Sequence, residues 1–186
     1  QASLEDTIKT IDDYNDAILK NEGIYRYKNL NNSDMFFSDN IKRLVQNYRI
    51  GYLRMMQYQL NQNNLEEVAL LINQFNDYFP NDVLPIDPWL GFEMIDKIFK
   101  PLNDIESQKK MLTSLITLDT DVNVKLITII RALELGHYEL TENMIREHIV
   151  KGKMQIDSKL ALFFETINSI GYHSSIDPLI ENILNK

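Results

Sequence analysis

The chain has 186 residues, a net charge of −8, and 44% hydrophobic and 25% charged residues, ordinary values for a globular protein. It has no cysteine, which excludes disulfides, thiolate nucleophiles and cysteine-ligated zinc, and its acidic balance argues against nucleic-acid binding, which needs a basic surface to displace counterions. Six glycines and five prolines are too few for a turn-dense all-β fold, no apolar run approaches the ~18 residues of a membrane span, and no signal-peptide pattern opens the chain.

The elements follow in chain order. Leu4, Ile8, Ile11, Tyr14, Ile18 and Leu19 share one face at helical spacing, so a first helix is expected over Leu4–Lys20 behind a Ser3 cap. Asn21–Ser38 reads as a loop rich in asparagine turn formers. That loop also carries Tyr25, Tyr27, Leu30, Met35, Phe36 and Phe37, and is expected to pack on the body of the domain.

From there a pattern recurs. A helix ends, a short polar turn follows, and a second helix opens on an apolar residue: Leu65, Ile105, Tyr138 and Ile176, spaced 40, 33 and 38 residues apart. Seven residues after each stands Ile72, Leu112, Ile145 or Ile183, on the same helical face. Repeats of this length are the mark of stacked αα-hairpins. The expected pairs are Ile41–Leu60 with Leu65–Tyr78, Pro88–Phe99 with Asp104–Leu118, Val122–Leu135 with Glu139–Val150, and Ser158–Ile170 with Ile176–Leu184. Asp87 is the expected cap before Pro88 at the first turn of its helix, and Gly136, Gly152 and Gly171 are expected terminators.

The fold class expected is therefore all-α, with about nine helices in TPR-like αα-hairpin repeats. Residues 1–40 would form the first helix and its packed loop, and residues 41–186 the repeat array, in one continuous domain. The chain opens on Gln1 rather than Met and is expected to be a piece of a longer protein.

No catalytic constellation emerges. There is no Gly-rich phosphate loop and no nucleophile elbow. Asp119-Thr120-Asp121 begins like a calcium loop, but Val124 replaces the needed glycine and Ile130 the bidentate glutamate; the carboxylates read better as helix caps. His137, His148 and His173 are too widely spaced for a local metal motif. No metal, cofactor or catalytic residue is expected.

One stretch has site-like chemistry. Between Lys20 and Leu60 seven basic residues face three acidic ones, a local +4 that leaves −12 for the rest. Its cations interleave with aromatics at Tyr25, Arg26, Tyr27, Lys28, Arg43, Tyr48 and Arg49, which are the candidate binding residues. Such a surface suits anionic or glycan groups through stacking and charge-assisted hydrogen bonds. The competing reading is core aromatics with cations reaching out to solvent.

Tyr25-Arg26-Tyr27-Lys28-Asn29-Leu30-Asn31-Asn32, followed by Asn40-Ile41-Lys42-Arg43-Leu44-Val45-Gln46-Asn47-Tyr48-Arg49 and the turn Pro80-Asn81-Asp82-Val83-Leu84-Pro85, resembles the C-terminal extramembrane region of bacterial protein O-mannosyltransferase-like membrane proteins of the GT-C type. Asn29 stands in place of that family's glycine. The resemblance covers about residues 20–100. It implies a non-catalytic TPR-like domain on the periplasmic side, positioning an acceptor or partner, with the transfer chemistry in a missing membrane half. The implied partners are a protein or peptide, an anionic membrane surface or a glycan acceptor. The alternative is a free-standing cytoplasmic adaptor holding a peptide in its groove.

Overall fold

The computed structural model describes residues 30–117, 122–151, 158–171 and 178. Among these the chain is all-helical without strands, with seven α-helices: α1 (Asp39–Asn61), α2 (Leu65–Tyr78), α3 (Pro88–Met94), α4 (Ile105–Thr117), α5 (Val122–Glu134), α6 (Tyr138–Met144) and α7 (Ser158–Ile170). Helices α3 and α6 continue as π-helical turns over Ile95–Phe99 and Ile145–Lys151. Seven of the about nine expected helices fall among the described residues; Leu4–Lys20 lies outside them, and of Ile176–Leu184 only Pro178, which is helical, is described. Asp119, Asp121, Gly152 and His173 also lie outside them.

The chain divides into two compact units, Gln1–Leu90 and Gly91–Lys186, with the boundary inside α3. In the first unit, Ser38 caps α1 by accepting from the Ile41 N–H at 3.4 Å, and α1 packs against α2. Their shared core centres on Tyr52, Phe75 and Phe79, whose rings meet edge to face at 5.7–6.2 Å. Such pairs add about 0.5–1.5 kcal/mol each beyond the area they bury. The residues before α1 depart from expectation in part: Phe36 is 88% exposed and Met35 46%, while Leu30 and Phe37 are half-buried. Asn32 and Asp34 close a local turn there, the Asp34 N–H donating to Asn32 Oδ1 at 2.9 Å.

In the second unit α4 packs on the Ile95–Phe99 turn and on α5, and α5 packs on both α6 and α7. Helix α7 buries Leu160, Phe163, Phe164 and Ile167, the i, i+3, i+4, i+7 stripe of a helix with one inward face. Gly91 lets α3 approach α4: a Cβ there would lie 2.8 Å from Leu115 Cδ2.

Three reverse turns share one hydrogen-bond pattern. At the first, Asn63 N–H donates to Leu60 O and Asn64 N–H to Gln59 O; at the second, Asn103 to Lys100 and Asp104 to Phe99; at the third, Gly136 to Leu133 and His137 to Ala132. This is the double bond of a Schellman cap, which needs a left-handed residue at its corner. Asn63, Asn103 and Gly136 supply it, with φ of 56°, 54° and 74°. The corners recur at 40 and 33 residues, like the apolar openers two positions later. Those openers are not core residues: Leu65, Ile105 and Tyr138 are 51%, 38% and 40% exposed. They sit at helix starts beyond the packed layer, whereas Leu112 and Ile145, two turns deeper, are fully buried.

Candidate functional site

Three of the seven candidate binding residues are described, all on α1. Tyr25, Arg26, Tyr27 and Lys28 lie outside the described residues. Arg43 is exposed near the start of α1, donating to Asn40 Oδ1 at 3.3 Å, and Tyr48 is half-buried on the same helix. Arg49 is fully buried.

Arg49 organises the loop between α2 and α3. Nη2 donates to the carbonyls of Phe79, at 2.8 Å, and Leu84; Nη1 donates to the Pro85 carbonyl at 3.0 Å. The guanidinium carbon lies 5.9 Å from the centroids of both Phe75 and Phe79. No carboxylate is among its partners, Nε has none, and burial lowers its pKa from the ordinary arginine range to about 10. Gln46 completes the clasp, donating to Pro85 O at 3.0 Å and accepting from the Asp87 N–H at 3.2 Å. Asp87 then caps α3 as expected, accepting from Trp89 and Leu90 at 3.0 and 3.3 Å. The Pro80–Pro85 turn and Arg49 thus belong to one structural clasp. The guanidinium, with both Nη atoms engaged by loop carbonyls, is turned away from solvent.

A different constellation, missed in the sequence, lies at the third reverse turn. An open cleft of about 640 Å³ is bounded by Ile105 and Lys109 at the start of α4, by Leu135 and His137 in the turn, and by Leu140 and Asn143 on α6. His137 is only 6% exposed, and its Nε2 lies 3.0 Å from Gln108 Oε1. Gln108, 2% exposed, donates through Nε2 to the Phe99 carbonyl at 3.2 Å. A carbonyl can only accept, so Gln108 must turn its amide NH2 to Phe99 and its oxygen to His137. His137 Nε2 therefore carries a proton, and Nδ1 of the neutral ring carries a lone pair. Burial first, and then the charge of Lys109, lower the His137 pKa, with Glu106 opposing; the ring is held neutral near pH 7. Spacing gave no signal for this pair, because Gln108 and His137 are 29 residues apart and meet only through the packing of α4 on α5.

Among the described residues no group of three or more His, Cys, Asp or Glu side chains is placed to hold a metal ion, and no helix is long and apolar enough to cross a membrane. Comparison with known proteins finds no matching family model, no matching curated protein and no matching solved structure.

Proposed function

We propose that this chain is a non-catalytic helical-repeat binding domain that positions a protein or peptide partner, built from TPR-like αα-hairpins. The recurring Schellman turns at Asn63, Asn103 and Gly136 carry the reading. One supersecondary unit, reused at 33–40-residue spacing, is how repeat proteins generate surface for partners. The packing of α5 on both α6 and α7 supports it, since in stacked hairpins a helix meets its own partner and the next unit. The resemblance of Tyr25–Arg49 and Pro80–Pro85 to O-mannosyltransferase-like membrane proteins supports a place on the periplasmic face of such a protein, beside its transfer chemistry rather than performing it.

The test is incubation of the purified chain with a polyprenyl-phosphate mannose donor and a random peptide mixture, followed by mass spectrometry and by selection of peptides that remain bound. Retained peptides of unchanged mass are expected. Sugar transfer or donor hydrolysis by the chain would overturn the reading, and so would failure to retain any peptide.

A further inference from the structure

We propose that the cleft beside the Gly136–His137 turn is the peptide site, and that His137 Nδ1 reads it by accepting a hydrogen bond from a backbone N–H of an extended segment. The inference rests on the binding-domain reading and adds the site and its recognition chemistry.

Three observations converge. The first is a ring nitrogen without a partner on a residue that is otherwise almost wholly buried. His137 is 94% removed from solvent, since 6% of its surface is exposed, and Nδ1 has no partner among the described residues, yet it is not among the side-chain atoms sealed from solvent. The cleft that the ring lines is the space from which a ligand would reach it. The second is orientation. The Phe99–Gln108–His137 relay fixes the tautomer and holds the ring in place, so the acceptor is set before any ligand arrives. A pre-set acceptor is the arrangement that lowers the ordering penalty of binding.

The third is the chemistry of the walls. Ile105, Leu135 and Leu140 offer apolar surface, and Lys109 and Asn143 offer donors. An extended polypeptide presents N–H, C=O and an apolar side chain in alternation, which matches acceptor, donors and apolar wall together. A purely apolar ligand would leave Nδ1 unmatched. A free anion would meet Glu106 and Glu139 as well as Lys109, because Glu106 lies 3.8 Å from the Lys109 ammonium and Glu139 lines the cleft.

The experiment takes peptides selected by the full chain from a random dodecapeptide phage library and measures their affinity for wild type, Ile105→Arg and His137→Gln. Ile105 is 38% exposed, so the arginine fills the cleft mouth without opening the core, and circular dichroism checks that each variant stays helical. The expected result is loss of saturable binding in Ile105→Arg and a loss of about tenfold in His137→Gln, as one removed hydrogen-bond partner gives. Replacing the peptide's amides one at a time by esters should find a single position that weakens binding to wild type but not to His137→Gln. Peptides bound equally by all three chains would overturn the proposal while leaving the binding-domain reading intact. Recovery of no peptide would remove both. Competition by oligosaccharides but not by peptides would overturn it in favour of a glycan site.

Discussion

Replacing Arg49 by methionine keeps the aliphatic stem and removes the guanidinium from the clasp. The carbonyls of Phe79 and Leu84 lose the guanidinium as donor, and that of Pro85 keeps only Gln46 Nε2. Hydrogen bonds to a charged group contribute about 1.5–3 kcal/mol each, so the bonds together amount to roughly 5–9 kcal/mol. Against this stands the penalty of holding a cation without a carboxylate partner. The fall of the Arg49 pKa from the ordinary arginine range to about 10 corresponds to about 3 kcal/mol at ~1.4 kcal/mol per unit. The difference is a net loss of roughly 2–6 kcal/mol, and we expect about 3, because the Pro85 carbonyl keeps the Gln46 amide and is on an exposed residue. Arg49→Lys should lose less, about 1–2 kcal/mol, since a single ammonium cannot fork across both sides of the loop. Urea denaturation followed by circular dichroism gives the change in midpoint, and hydrogen exchange at the Val83 and Leu84 amides reports the loop itself. A loss below about 0.5 kcal/mol for Arg49→Met, with unchanged exchange at Leu84, would refute the clasp.

His137 and His148 are both held below the ordinary histidine range by burial, reinforced by Lys109 and Lys125 respectively. The unfolded chain therefore binds more protons than the folded one as pH falls through about 6.5, so thermal melts should show stability dropping with acidification, and His137→Gln should flatten that slope. Gly136 holds φ of 74°, so Gly136→Ala should lower stability by about 1–2 kcal/mol, whereas Asn63→Gly, at φ of 56°, should be neutral or stabilising; the same urea titrations measure both. Gly91→Ala forces its Cβ against the fully buried Leu115 and should lose about 1–3 kcal/mol by overpacking. The exposed Lys42 and Arg43 are expected to draw the chain to anionic vesicles at low salt, at about 1 kcal/mol per cation near the surface; co-sedimentation unchanged in a Lys42→Gln, Arg43→Gln double variant would exclude them.

Much of the helical frame is legible from residue pattern. Leu65–Tyr78 and Ser158–Ile170 fall where apolar periodicity and flanking turn residues place them, because in both cases local propensity and burial agree. The π-helical turns at Ile95–Phe99 and Ile145–Lys151 carry no comparable mark, since their buried residues, Ile95, Ile98 and Phe99 and then Ile145 and Ile149, keep the i, i+3, i+4 spacing of an ordinary α-helix. The site was less legible, for a physical reason. In sequence Arg49 is one more cation among aromatics. Its burial is decided by carbonyls 30 to 36 residues away, and carbonyls look the same under every side chain. Likewise His137 shows only as a turn residue before a helix. Its role follows from Gln108, which reaches it only once α4 and α5 pack. Polar networks that close over long sequence separation leave little trace in local spacing.

The most direct test of a binding rather than a reacting domain is hydrogen–deuterium exchange mass spectrometry of the chain with and without a selected peptide, which reads the bound surface and the peptide's mass together. The account predicts slower exchange in the segments 105–109 and 136–143, with the peptide recovered unmodified. Protection confined to other segments, or a peptide returned with altered mass, would contradict it.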